Sequence, residues 1–165
     1  MTIIVTGAAG FIGSCMVSKL NAEGFENLIL VDDLSEESKN LNLEGKRYQQ
    51  RIHRDDFIQW FIANAKKVKV VFHIGARTDT TEFDKSIFDR LNVNYSKDIW
   101  KVCAENGVKL IYASSAATYG LGEYGYEDEH SIVNKLKPLN PYGDSKNDFD
   151  KWALQQKSTP PNWYG

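Results

Sequence analysis

Apolar residues recur along the chain in two alternating patterns. A short β-branched apolar run at 3–5 predicts a strand buried on both faces, 28–31 predicts a second buried strand, and 68–72 and 108–113 predict two more strands. The short stretch 48–52 predicts one more. Between them the spacing becomes helical. One helix is predicted over 11–23, with Phe11, Ile12, Cys15, Met16 and Leu20 as its apolar positions and Gly24 as its stop. A second is predicted over 55–65 through Phe57, Ile58, Phe61 and Ile62, and a long third over 83–106, closed by Gly107. A fourth covers 142–156, with Asn140 as N-cap and Pro141 in the first turn, where a missing N–H does no harm. The stretches 32–43, 75–82 and 114–139 are polar and loop-like, the first with room for a helical turn, and 158–161 is a break. Strands alternating with helices predict an α/β fold, a doubly wound parallel sheet with helices on both faces. A further strand is expected to begin at 163–165.

Composition fits a single domain with a real core. The chain has 165 residues, 42% hydrophobic and 25% charged, which excludes a disordered or low-complexity chain. Lys and Arg total 20 against 22 acidic residues, a net charge of −2, so the basic excess of a nucleic-acid binder is missing. No apolar run approaches the roughly 18 residues that span a membrane, and the first residues lack a signal-peptide pattern. Cys15 and Cys103 are far apart without metal-ligand spacing, and read as free, mostly buried thiols in a reducing compartment. The expectation is a soluble cytoplasmic protein. His53, His73 and His130 show no metal pattern; His73 reads as structural at a strand end, the other two as surface residues.

Chemistry enters at the first strand–helix junction. Thr6-Gly-Ala-Ala-Gly-Phe-Ile-Gly13 has the spacing G-x-x-G-x-x-G. Gly7 permits a tight turn, Gly10 lets the backbone approach a pyrophosphate, and Gly13 lets the helix pack closely on the sheet. The N–H groups of the helix start then face the anion. Asp32 ends the second strand 19 residues after Gly13, where an acidic residue suits ribose hydroxyls. A dinucleotide site is therefore expected. Asp32 and Asp33 favour the free diol of NAD, whereas Lys39 and Arg54 are candidates to neutralise the 2′-phosphate of NADP, with ordinary surface charge as the alternative for both.

A second constellation lies in the C-terminal third. Tyr142-Gly-Asp-Ser-Lys146 is Y-x-x-x-K at a helix start, so phenol and ammonium share one face. A Tyr serves as a base only if its pKa falls from about 10, and a nearby ammonium favours the phenolate. Ser115, after the strand at 108–113, is suited to hydrogen-bond the substrate oxygen that changes protonation. The acidic stretch 123–130 reads as a solvated loop, with a lid as the alternative.

Three motifs together (T-G-x-x-G-x-I-G, Ser-Ser-Ala before Thr118-Tyr-Gly120, and Y-x-x-x-K) resemble the extended short-chain dehydrogenase/reductase family of nucleotide-sugar enzymes along the whole chain. Two stretches, His73-Ile-Gly-Ala-Arg-Thr-Asp-Thr-Thr-Glu-Phe-Asp84 and Tyr112-Ala-Ser-Ser-Ala-Ala-Thr-Tyr-Gly120, are most similar to the ADP-L-glycero-D-manno-heptose 6-epimerases of that family. The resemblance implies inversion of C6 of an ADP-heptose through a transient ketone with bound NADP, NAD being the alternative, in lipopolysaccharide core precursor synthesis. It implies Tyr142, Lys146 and Ser115 as catalytic residues. It implies a cofactor lining of Gly7, Gly10, Phe11, Ile12, Gly13, Asp32, Asp33, Lys39, Arg54, Ile74, Gly75, Ala76, Arg77, Thr78, Asn92 and Lys146. Thr80, Thr81 and Ser115 are the implied substrate contacts. The group usually has Asn where Asp33 stands and Lys where Arg54 stands. It also runs to roughly twice this length, the excess forming a substrate domain. The expectation is thus one Rossmann-like domain over 1–165, its C-terminal substrate domain missing, inactive alone and homo-oligomeric at full length. A UDP-sugar 4-epimerase or related dehydratase, and a non-catalytic dinucleotide-binding module, remain alternatives.

Overall fold

The computed structural model describes residues 1–163. Five strands, β1 (Thr2–Thr6), β2 (Leu28–Asp32), β3 (Gln50–His53), β4 (Val68–His73) and β5 (Lys109–Tyr112), form one sheet in the order β3-β2-β1-β4-β5. All pairings are parallel. This is the order of a doubly wound fold, which reverses direction between β1 and β4. The expected strand at 163–165 is not met at Trp163, and its other two residues lie outside the described ones.

Five α-helices accompany the strands: α1 (Phe11–Ala22), α2 (Arg54–Asn64), α3 (Lys85–Phe88), α4 (Tyr95–Asn106) and α5 (Pro141–Leu154). The loop expected at 32–43 contains a 3-10 turn over Glu37–Leu43. The helix expected over 83–106 begins at Lys85, because Asp84 caps it by accepting from the Ser86 N–H at 2.9 Å. Its middle, Asp89–Asn94, is π-helical. Asn140 caps α5 as expected, accepting from the Gly143 N–H at 2.8 Å with Pro141 in the first turn.

The chain divides into two compact units. The first comprises residues 1–75, 101–113 and the stretch from Pro160, and holds the sheet. Its core includes Ile3, Val5, Val17, Leu20, Leu28 and Leu30, and full burial of such side chains contributes about 1.5–3 kcal/mol each. The second comprises residues 76–100 and 114–159 and is centred on aromatic side chains. Trp100 there meets Phe149 edge-on, with ring centroids 6.1 Å apart.

Two sequence expectations fail on α1. Phe11, Ile12 and Cys15 are exposed, and the buried stripe is Gly13, Ser14, Val17, Leu20 and Asn21. The close seating of Gly13 fixes that rotation. Cys15 is therefore an exposed thiol, while Cys103 is buried and its thiol is pushed up to about 12 by desolvation.

Candidate functional site

In the sheet unit, the Gly-rich turn sits between β1 and α1 at the end of the sheet where the strands finish. Gly7 has φ +65°, and a Cβ there would come within 2.6 Å of Gly75 Cα. A Cβ on Gly13 would lie 1.9 Å from the Gly7 carbonyl oxygen. At Gly10 the nearest obstacle is that same oxygen at 3.3 Å, so the turn is open above it. No side chain caps α1, whose N-cap is Gly10, and its first turn carries no acidic residue. Its leading N–H groups thus lack a side-chain acceptor, which suits an anion.

The turn is held from three sides. Asp32 accepts from the Ala9 N–H at 2.8 Å through one oxygen and from the Asp33 N–H at 2.8 Å through the other. Asn42, absent from the sequence expectations, donates Nδ2 to the Ala9 carbonyl at 2.8 Å. The Gly75 N–H donates to Thr6 Oγ1 at 3.1 Å, leaving the Thr6 hydroxyl proton for His73 Nδ1 at 2.6 Å. His73 therefore has the structural strand-end role expected of it.

Beside Asp32, a charge cluster gathers. Arg54 Nη2 lies 2.9 Å from Asp33 Oδ2, and His53 Nε2 lies 3.5 Å from Asp33 Oδ1. The register explains this, since Asp32 pairs with His53. His53 is not a plain surface residue: half-buried, it caps α2 by accepting from the Asp55 N–H. The Ser35 hydroxyl and N–H, with Arg54 and His53 assisting, hold the Asp33 carboxyl down to about 2. Lys39 lies 3.0 Å from Glu36 and 3.9 Å from Asp32.

In the second unit, Asn92 sits within the π-helical stretch and is buried. Its Oδ1 accepts from the Arg77 N–H at 2.7 Å, and its Nδ2 donates to the Arg77 carbonyl at 3.0 Å and to Ser145 Oγ at 2.9 Å. Ser145 in turn donates to the Tyr142 carbonyl at 2.7 Å. The segment 76–78 is thereby tied, through Asn92, to the first turn of α5. Thr78, Thr80 and Thr81 are exposed, and Thr81 donates to Asp79 within its own loop.

Ser115 precedes a 3-10 turn over Ala116–Tyr119 and caps it by accepting from the Ala117 N–H. The first turn of α5 approaches this turn closely. A Cβ on Gly143 would lie 2.8 Å from the Ala117 carbonyl oxygen and 2.8 Å from Pro138 Cβ. Tyr142 is half-buried and Lys146 is buried at 3% exposure. One turn further, Asp150 accepts from the Ser114 hydroxyl at 2.5 Å. Sequence motifs alone give no role to Ser114, Gly143 or Asp150. Asp150 lies four residues beyond Lys146 and eight beyond Tyr142, a helical spacing that marks it on the same face. The acidic stretch 123–130 is mostly exposed, anchored where the Tyr119 hydroxyl donates to Asp128.

Burial pulls the Lys146 ammonium down to about 8, with the Asp150 charge opposing it. Burial likewise raises the Asp150 carboxyl, against the Ser114 hydrogen bond and the Lys146 charge. The folded chain releases the Lys146 proton before the unfolded chain does. Stability is therefore expected to rise with pH between about 8 and the ordinary lysine value of 10.5, by up to about 3 kcal/mol. Urea melts of wild type and Lys146→Met across that range measure it, since titrations common to both cancel. Equal slopes in the two proteins would sink the assignment.

No described helix is long and apolar enough to cross a membrane, and no group of three or more metal-binding side chains occurs among the described residues. The family model for the NAD dependent epimerase/dehydratase family matches residues 3–159. The chain is 47% identical over 167 aligned residues to the ADP-L-glycero-D-manno-heptose-6-epimerase of Fusobacterium nucleatum, covering 99% of this chain and 50% of that protein. It is 45% identical to the protein of the same name from Nitratidesulfovibrio vulgaris, covering 93% and 48%. The structure of the Thermus thermophilus UDP-glucose 4-epimerase complexed with NAD superposes with a TM-score of 0.75 at 26% identity, covering 99% of this chain and 53% of that one. The chain spans about half the length of the curated relatives it matches.

Proposed function

As the chain belongs to the NAD dependent epimerase/dehydratase family, we propose that it carries the dinucleotide site and acid/base residues of an enzyme that inverts C6 of an ADP-heptose. Identity of 40–47% to proteins named ADP-L-glycero-D-manno-heptose-6-epimerase carries this reading. We place that reaction in lipopolysaccharide core precursor synthesis, in the cytoplasm. We propose further that turnover needs more chain than these 165 residues and that the whole protein is a homo-oligomer.

The open Gly10 backbone and the uncapped start of α1 fit a pyrophosphate. The Asp32 carboxylate, already fixed by two backbone N–H groups, retains lone pairs for ribose hydroxyls. The chemistry a bound nicotinamide supplies is hydride removal from C6 and return to the opposite face. Tyr142 accepts and returns the hydroxyl proton. The Lys146 ammonium favours its phenolate, and Ser115 fixes the reacting oxygen. In this reading Lys146 also meets the nicotinamide ribose, Asn92 holds the segment 76–78 along the cofactor, and Thr80 and Thr81 meet substrate.

The family resemblance favours NADP. NAD is the second reading, because Asp33 is ion-paired with Arg54, the cation suited to a 2′-phosphate. Native mass spectrometry of the chain offered NADP and NAD separately tests both. Asp33→Asn releases Arg54 and removes a charge facing the phosphate, so the NADP-to-NAD affinity ratio should rise about tenfold or more, about 1.4 kcal/mol. An unchanged ratio would remove Asp33 from cofactor selection, and retention of neither dinucleotide would overturn the cofactor reading.

A further inference from the structure

We propose that Asp150 is a positioning residue, which through Ser114 ties the segment bearing Ser115 to α5 and supplies Lys146 with its counter-charge. This rests on the roles given above to Ser115, Tyr142 and Lys146, and adds to them a residue outside the motif.

Three observations carry it. The Ser114 hydroxyl donates to Asp150 Oδ2 at 2.5 Å, joining residues 36 positions apart. Asp150 follows Lys146 by one helical turn, so the two side chains share the face that also bears Tyr142, close enough for the charge of each to act on the other. The same two segments meet again at Gly143 and Ala117, where no Cβ fits. Those two contacts lie about 10 Å apart along α5. A segment fixed at two points on a rigid helix cannot pivot about either, so Ser115, next to Ser114, keeps its place relative to Tyr142.

The electrostatic half follows from burial. A buried ammonium without a nearby negative charge loses its proton. Neutral Lys146 would no longer favour the Tyr142 phenolate. On α5 the charge that acts on Asp150 is that of Lys146. From the segment 114–119 the polar groups facing it are the Ser114 hydroxyl and the Tyr119 phenol, whose pKa the Asp150 charge helps to raise.

The two halves separate experimentally. Asp150→Asn keeps an acceptor for Ser114 and removes the charge; Ser114→Ala does the reverse. In the chain labelled at lysine Cε, the NMR titration midpoint of Lys146 should fall by about one unit or more in Asp150→Asn. It should stay near the wild-type value in Asp150→Glu, which also serves if the Asn variant folds poorly. In Ser114→Ala, amide exchange across 114–119 should quicken at least tenfold. An unmoved Lys146 midpoint in Asp150→Asn overturns the proposal, and so does unchanged exchange in Ser114→Ala. Neither readout needs cofactor or substrate, so failure of the functional reading, seen as loss of dinucleotide binding by the wild type, remains distinguishable.

Discussion

Gly13→Ala should abolish dinucleotide binding and lower the melting temperature by several degrees. The added methyl carbon would stand 1.9 Å from the Gly7 carbonyl oxygen, 2.7 Å from the Gly7 carbonyl carbon and 2.9 Å from Ala8 Cα. All three obstacles are backbone, so no side chain can swing aside. α1 must move outward, which loosens Val17 and Leu20 against the sheet, or the turn must deform, which breaks the Ala9–Asp32 hydrogen bond. Overpacking costs about 1–3 kcal/mol where side chains can adapt, and a fixed backbone puts this site at or above the upper end. For a chain of this size that is about 6–12 °C. Thermal unfolding and calorimetric titration with NADP and NAD measure both effects. Gly10→Ala is the contrast: with one neighbour at 3.3 Å it should melt near wild type while still impeding the pyrophosphate. A Gly13→Ala protein that melts with wild type would refute the close-approach account.

Tyr142→Phe should lower turnover about 10²- to 10⁴-fold, the range for loss of a positioned acid/base. It removes one oxygen from a half-buried ring at the start of α5 and leaves the Gly-rich turn untouched. Dinucleotide retention should therefore match wild type, which separates lost chemistry from lost binding. The assay is conversion of ADP-D-glycero-D-manno-heptose by the longest form of the protein that turns over. Turnover within about threefold of wild type would remove Tyr142 from the proton-transfer role.

What is legible in the sequence follows a physical division. Strand identity is written in short β-branched runs, and β1, β2, β4 and β5 begin and end within a residue of expectation; β1 and β2 are buried along nearly their whole length, while Lys69 of β4 and Lys109 of β5 are exposed. β3 appears at 50–53 rather than 48–52, since Tyr48 packs on the core from outside the strand. The Gly-rich turn and Y-x-x-x-K are legible because each is a local backbone or helical-face requirement. The exposed face of α1 is not, because its rotation is set by Gly13 against Gly7 rather than by its own hydrophobicity. Spacing marks the helical face of Asp150, but its partner Ser114, like the pairing of Asn42 with Ala9, is hidden for a related reason. Their hydrogen bonds join residues 33 and 36 positions apart, and polar side chains at such separations leave no periodic trace.

The π-helical stretch at Asp89–Asn94 also sets the angular phase of what lies on either side of it. Phe88 precedes it and Trp100 follows it, twelve positions later, and both are buried at 0% and 1% exposure. At about 100° per residue, twelve regular α-helical steps would leave them about 120° apart around the axis. A turn closed from i to i+5 absorbs about one extra residue, which brings the two rings to within about 20° of one another. The stretch thus behaves as a one-residue insertion that resets the helix. Deleting a single residue there would restore an unbroken α-helix with the two rings eleven steps apart and still on one face, whereas straightening the run at its full length would turn one of them toward water.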